Sequence, residues 1–509
     1  MTKYVLVSGS TGYVGGRLIP RLLEAGYHVK AFGRSIAKME SRPWSTHPNI
    51  RLAEGNMLDL GSLRRALQDC FAAYYLVHSM NPRHADFAEA DRRAARNMAT
   101  AAADAGLQQI IYLGGLGDVN DPKLSPHLKS RHETARILRS GPVPVTYLRA
   151  AMILGSGSAS FEILRYLVER LPILITPKWV HTPCQPIGIR NVLHYLQGCL
   201  ESDDAPGQTY DIGGPDVLTY RKLMDVYAEE AGLPKRWVFP IPLLSPRLSA
   251  YWIHLVTPIP ASLARPLAEG LSVNVTCREN RIRDIMPQKL LTCRETIRLA
   301  LERIQQELVE TRWSDAGVLS IPEWTYCGDA QYAGGNILEC GYRVHLKATV
   351  EEVWEPITHI GGVRGWYFGD VLWRLRGDLD KLLGGTGLRR GRRHPSTLYV
   401  GDALDFWRVL EVEENERLLL VAEMKLPGEA LLEFRLKPLG PEKVELRQMA
   451  RFLPKGLAGL VYWMTFYPFH KWIFGGMLKH IARAIGKPVT YGPGRILLRS
   501  KNVCRIPGE

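Results

Sequence analysis

The stretch "VLVSGSTGYVGG" constrains this chain more than any other. Val5, Leu6 and Val7 form a short apolar run ending at Ser8, and Gly9, Gly12 and Gly15 follow at GxxGxxG spacing. Leu18, Leu22 and Leu23 then recur at helical spacing. Glycine permits a tight strand-to-helix bend and lets the backbone approach a pyrophosphate, while the helix N-terminus presents free N–H groups and a positive dipole end. The flanking strand and helix distinguish this pattern from a plain tight turn. Pro20 lies inside the helix and removes one of its backbone hydrogen bonds.

The second apolar run, "YHVKAF", ends at Gly33, Arg34 and Ser35. Chains that bind NAD ordinarily place Asp or Glu here to hold the ribose hydroxyls. No acid stands at this spot and Arg34 suits a 2′-phosphate, so NADP is the expected cofactor, with NAD the alternative. "IRLAEGNMLD" (50–59) predicts a third strand and its turn, and "AYYLVHSM" (73–80) a fourth strand. "DRRAARNMATAAADAGLQQIIYLGGLG" (91–117) predicts an alanine-rich helix and a fifth strand, and "GPVPVTYLRAAMILG" (141–155) a sixth. Strands alternating with helices imply an α/β fold, a doubly wound parallel Rossmann sheet with its ligand at the strand C-termini.

GSTGYVG, GNMLD, YYLVHSM, YLGGLG, SPHLKSRHE and LRAAMILGSGSASFEIL together resemble the atypical short-chain dehydrogenase/reductase superfamily, in its NmrA-like branch, over about residues 1–305. The resemblance implies that Gly9, Thr11, Gly12, Tyr13, Val14 and Gly15 line the pyrophosphate. It places Asn56 and Met57 beside the adenine, and His78 and Ser79 along the ribose, with Arg34 and Ser35 at the end of the second strand.

In that superfamily a Tyr-x-x-x-Lys pair on the helix after the fifth strand handles the proton and grips the nicotinamide ribose, helped by a serine at that strand's end. Here "HLKSR" occupies the place, with His127 for tyrosine and Arg131 for lysine, and glycines Gly114 and Gly115 where the serine belongs. The four-residue spacing puts His127 and Arg131 on one helix face. An imidazole titrates near neutrality unaided, but a neighbouring guanidinium disfavours its charged form. Three readings stand: a weakened catalytic pair, a cofactor clamp at Arg131, or an exposed helix face.

The resemblance implies that residues of about 155–290 form the substrate-binding part of this domain. Within them "PIPLLSPRLSAYWIHLVTPIPASLARPLAEGL" (240–271) is apolar but broken by prolines and basic residues, and reads as a pocket lid or a membrane-contact loop. It lacks the ~20 uninterrupted apolar residues of a membrane span. A long helix is predicted at 293–313, and a linker over 306–335, rich in glycine and small residues. From 336 to 485 a strand, a helix carrying Val350, Val353 and Trp354, antiparallel strands at hairpin spacing and a long helix (456–485) resemble a helix-grip, START-like (polyketide-cyclase-like) domain. The resemblance implies an apolar ligand clasped between sheet and helix. Trp366, Asp370, Asp405, Trp407 and Glu423 are its candidate pocket residues, and 486–509 reads as a basic tail.

At 509 residues, two or more domains are expected. The net charge of +14 would suit nucleic acid, an anionic membrane surface or a phosphorylated ligand. No zinc-finger or RNP-type signature accompanies it, so no nucleic-acid partner is expected and a solvated basic surface is the plainer account. Eight cysteines without a CxxC pair give no metal site and no disulfide framework, and suit a reducing, cytoplasmic compartment. "KYVLVSGS" is too short an apolar run for a signal peptide. The leading expectation is an NADP-dependent oxidoreductase acting on a bulky apolar small molecule. The alternatives are a non-catalytic NADP(H)-sensing or assembly protein, and a lipid-handling protein at the membrane surface.

Overall fold

The computed structural model describes residues 2–77, 87–122, 124–241, 246–257, 259, 261–305, 310–316, 337–362, 364–388 and 392–496. His78 and Ser79 lie outside them. The chain divides into two units, Met1–Ala316 and Gly317–Glu509.

The first unit is built on seven strands, β1 (Tyr4–Ser8), β2 (His28–Gly33), β3 (Ile50–Glu54), β4 (Cys70–Tyr75), β5 (Gln109–Gly115), β6 (Val145–Ala150) and β11 (Thr209–Ile212). Their order is β11-β6-β5-β4-β1-β2-β3, with every pairing parallel. Alternation along β1 sorts side chains between two cores. Val5 and Val7 join α1 (Gly15–Glu24) and α7 (Ile189–Glu201) on one face. Tyr4 and Leu6 join α3 (Leu60–Leu67), α4 (Phe87–Asp104) and α5 (Pro126–Arg139) on the other. Because all seven strands run one way, their C-terminal ends share one edge. The order reverses between β1 and β4, which opens a crevice there for a ligand.

Leu18, Leu22 and Leu23 of α1 are buried, and Pro20 is inside that helix. The fourth strand starts at Cys70, earlier than its apolar run suggested, and ends at Tyr75, where the Leu76 amide turns to the Ser8 hydroxyl (3.2 Å). The sixth run is split: after β6 the chain leaves the sheet and β7 (Ile153–Leu154) pairs with β10 (Ile187–Gly188). Another small pairing joins β9 (Pro183–Cys184) and β12 (Leu218–Thr219).

A third core, in the part expected to be substrate-binding and called the substrate-side core below, gathers α6 (Ala159–Arg170), β8 (Ile173–Pro177), α8 (Tyr220–Glu230), β13 (Trp237–Ile241), α9 (Pro246–Val256), α10 (Ala261–Gly270) and α12 (Cys293–Gln305); a single turn, α11 (Ile282–Ile285), precedes α12. The helix expected over 293–313 thus ends its described part at Gln305. Residues 311–316, read as linker, instead pack onto the sheet domain. Thr311 accepts from Arg17 Nε (2.8 Å), and Asp315 takes Lys38 Nζ on its carbonyl (2.5 Å) and faces buried Arg42 (3.8 Å).

The second unit is an antiparallel sheet, β15-β16-β17-β18-β19-β14-β20, comprising β14 (Leu338–Leu346), β15 (Ala403–Leu404), β16 (Trp407–Glu413), β17 (Arg417–Ala422), β18 (Gly428–Gly440), β19 (Lys443–Pro454) and β20 (Val489–Arg495). Helix α13 (Val350–Thr358) opens with a capping box, Thr349 with Glu352, and buries Val353 and Trp354. Helix α14 (Asp370–Leu382) follows, and α15 (Gly456–Ala484) packs against β14 and β19. The segment read as a basic tail begins with β20, which pairs with the open edge of β14, where the Tyr491 ring lies tilted against His345 (4.9 Å between ring centroids). An edge strand needs partners for its backbone groups, and charge content gave no sign of that pairing. Among the described residues no helix is long and apolar enough to cross a membrane.

Candidate functional site: a cofactor cleft

At the β1–α1 turn, Gly9 has φ +71°, and a Cβ there would sit 2.9 Å from the Leu76 carbonyl oxygen. A Cβ at Gly15 would come within 2.3 Å of the Gly9 oxygen, so no larger residue fits either place. Gly12 N donates to Gly9 O (2.9 Å) and closes the turn. The amides of Thr11, Tyr13 and Val14 make no hydrogen bond to any described residue, and Val14 caps α1 without a side-chain acceptor. Backbone donors at an uncapped helix start can serve as a phosphate cradle. The side chain of Tyr13 is not part of it. Its buried hydroxyl lies under Gly155, and burial pushes its pKa up to about 12. Arg17, one turn on, is likewise committed inward, to Thr311 and to the Ser156 carbonyl (2.9 Å).

Arg34 is exposed just past the end of β2, and the Ser35 hydroxyl caps α2 (Ile36–Glu40) by accepting from Lys38 N (3.4 Å). Glu54, which sequence spacing missed, belongs to the same corner. It pairs in register with Gly33 across β2 and β3, and its Oε1 accepts from the Ile36 amide (3.3 Å). An acid thus stands beside the ribose corner, supplied by the neighbouring strand. Asn56 is exposed in the next turn, whereas Met57 is buried and its carbonyl is held by Asn97 (3.0 Å).

Helix α5 starts with Ser125 as its cap, and its buried face fixes it to β5 and α4: Ser130 donates to Asp91 (3.0 Å). His127 and Arg131 are half-buried. Arg131 Nη1 donates to the Leu113 carbonyl (3.3 Å), its backbone oxygen accepts from Tyr112 (3.2 Å), and its Nε is buried without a partner among the described residues. Burial, ahead of the charge on Arg131, pulls His127 down to about 3, so its imidazole is neutral at physiological pH. The missing serine has a packing counterpart. A Cβ on Gly114 would lie 2.5 Å from the Tyr147 ring, and one on Gly115 would lie 2.6 Å from Leu128. Tyr147 fills that space, stacked on Tyr112 (5.1 Å between ring centroids) and within 3.3 Å of His132 Nδ1 and of the Gly115 oxygen.

In the second unit Trp366 Nε1 donates to Asp405 Oδ2 (2.9 Å), and Asp370 accepts from the Trp366 amide (2.9 Å). Trp373, Phe406 and Trp407 surround the Trp366 ring, and Glu423 pairs with Arg408 (2.9 Å) next to Trp407. Asp405 has φ +52°, and burial pushes its carboxyl up to about 6. Among the described residues no group of side chains could hold a metal ion.

Residues 1–172 match the NmrA-like family, and residues 334–477 match a family described as protein of unknown function, DUF2867. Cinnamoyl-CoA reductase 1 of Oryza sativa subsp. japonica is 27% identical over 129 residues, 24% of this chain and 38% of that protein. The chain therefore spans well under half of that relative. A (4-alkanoyl-5-oxo-2,5-dihydrofuran-3-yl)methyl phosphate reductase of Streptomyces griseus is 24% identical over 46% of this chain and 76% of its own length. Subunit 9 of the NADH dehydrogenase [ubiquinone] 1 alpha subcomplex of Arabidopsis thaliana is 23% identical over 56% and 74%. Among solved structures, the Citrobacter sp. triphenylmethane reductase complexed with NADP(H) superposes with a TM-score of 0.48 at 19% identity, over 58% of this chain and 99% of that one. The part of the chain similar to the NmrA-like family thus lies on the parallel Rossmann-type sheet, and the part similar to DUF2867 on the antiparallel sheet.

Proposed function

We propose that the first unit is an NADP-binding oxidoreductase of altered active site, acting on a bulky apolar small molecule in a reducing, cytoplasmic setting. The observation that carries this reading is the placement of His127 and Arg131 beside the C-terminal end of β5, on the edge that also bears the glycine cradle. The cofactor, when bound, supplies the hydride. Thr11, Tyr13 and Val14 would hold its pyrophosphate through backbone N–H groups, Arg34 its 2′-phosphate, and Arg131 the nicotinamide ribose. Neutral His127 would offer a hydrogen bond rather than an acidic proton. The reductase names of two relatives support the class. NAD is the second cofactor reading, favoured by Glu54 at the ribose corner.

A non-catalytic, cofactor-sensing or assembly role is the alternative reading, favoured by the packing that leaves no room for a serine at Gly114 or Gly115. The second unit, read as a helix-grip fold, would clasp an apolar ligand between sheet and α15; its aromatic cluster around Trp366 supports that reading.

The test separates grip from chemistry. Arg131→Ala should weaken NADPH binding by about 1–3 kcal/mol, the loss of a charge-assisted hydrogen bond. His127→Ala should leave affinity nearly intact and lower any carbonyl reduction far less than the ~10²–10⁴-fold expected for loss of a general acid. Abolished turnover in His127→Ala with NADPH binding unchanged would make His127 the acid.

A further inference from the structure

The substrate-side core of the first unit carries its apolar surface the wrong way out. Strands β8 and β13 pair in parallel with Trp237 opposite Ile173 and Phe239 opposite Ile175. Leu174 and Val238 point inward and are buried, yet the opposite face is Ile173, Ile175, Trp237, Phe239 and Ile241, all exposed, with Trp237 at 68%. A two-stranded ribbon with one solvated face should alternate apolar with polar.

Helix α9 repeats the inversion. Ala250, Ile253 and Val256 pack into the core, and its polar Ser249 and His254 are buried with them. Leu248, Tyr251, Trp252 and Leu255, at the i, i+3, i+4, i+7 spacing of one helical face, are exposed, Tyr251 at 67%. A helix that is apolar all round belongs in a core or against lipid. The inward faces of ribbon and helix share one core, and α6, which leads into β8, holds the end of α9 through Arg170 and the Val256 carbonyl (2.5 Å).

Charge completes the pattern. No Asp or Glu occurs from Arg170 to Leu200 or from Ala231 to Ala268, while Lys178, Lys235, Arg236 and Arg247 fall within those stretches; Arg265, also there, is paired with Glu269 just beyond (2.8 Å). Trp and Tyr favour the headgroup level of a bilayer, and acid-free basic segments favour anionic lipid. We propose that the outer faces of the β8–β13 ribbon and α9 dock peripherally on an anionic lipid bilayer, without crossing it. Since α10, next along the chain, approaches α5 near Leu128 and Ser125, the docked face belongs to the part of the unit that borders the cofactor cleft.

The full chain should co-sediment with phosphatidylcholine vesicles containing about a third phosphatidylglycerol, much less with phosphatidylcholine alone, and less as salt rises. The double variant Trp237→Ser/Trp252→Ser, altering two exposed side chains, should lose about tenfold or more of that binding while its thermal unfolding and NADPH affinity stay unchanged. Absence of binding to the anionic vesicles, or equal binding by the double variant, would overturn the proposal. So would a dimer in analytical ultracentrifugation that the double variant converts to monomer, because a second copy would then be the occupant.

Discussion

Arg34 and Glu54 flank the same corner of the cofactor cleft with opposite charges, and cofactor choice should follow their balance. Arg34→Asp should cost NADPH about 1.5–3 kcal/mol, roughly ten- to a hundredfold in affinity, and leave NADH nearly unaffected. Glu54→Gln should shift preference the other way, because a carboxylate near a 2′-phosphate repels it. Titration of each variant with both cofactors checks the pair. His127 makes a separate claim about pH. Its folded pKa of about 3 lies below the unfolded value of about 6.5, so on acidification the unfolded chain takes up the proton first. Its contribution to stability should be intact above about pH 6.5 and be lost progressively as pH falls toward 3. Thermal unfolding across that window should show a decline that His127→Gln makes shallower.

At the scale of elements, the sequence was most informative where burial and chain period agree. The run Val5–Val7 and the leucines of α1 all face inward, so periodicity disclosed the elements on either side of the glycine turn. Helix α14 escaped because its pattern is not that of a core-facing helix: Val371, Leu375, Leu379 and Leu382 are exposed, while Gly377, Asp380 and Lys381 are buried. Glu54 escaped for a different reason, since register between adjacent strands brought it to a place that linear spacing assigned to the end of β2. The change of serine to glycine in "YLGGLG" was legible, but its cause, Tyr147 and Leu128 filling the space, was not. That packing predicts the outcome of restoring the hydroxyl. Gly115→Ser should destabilise the fold by about 1–3 kcal/mol through overpacking against Leu128, and should not bring carbonyl reduction to His127→Tyr/Arg131→Lys. Chemical denaturation and an NADPH-oxidation assay read the two halves of this expectation.

For the whole molecule, the division at 305 drawn from composition falls short of the residues that complete the first unit. Thr311 and Asp315 serve buried Arg17, Lys38 and Arg42, and Trp313 N donates to the Gly157 carbonyl (2.9 Å). A fragment ending at 305 would leave those cations without these partners, and breaking a buried pair typically costs about 3–5 kcal/mol. Residues 1–316 should therefore unfold at clearly higher denaturant than residues 1–305, with a similar dependence on concentration. Equal midpoints would show that the 311–315 segment adds nothing to the domain.

That segment also ties the connector to the cleft. The Thr311 hydroxyl donates to the carbonyl of Tyr13, within the turn whose amides are proposed to hold the pyrophosphate (2.9 Å). Linkage runs both ways: whatever free energy a bound nucleotide gains by ordering that turn, it also lends to the grip on Thr311, and loosening Thr311 subtracts the same amount from the nucleotide. Within the first unit, Thr311 and the glycine turn should therefore gain or lose protection from hydrogen exchange together when nucleotide is added.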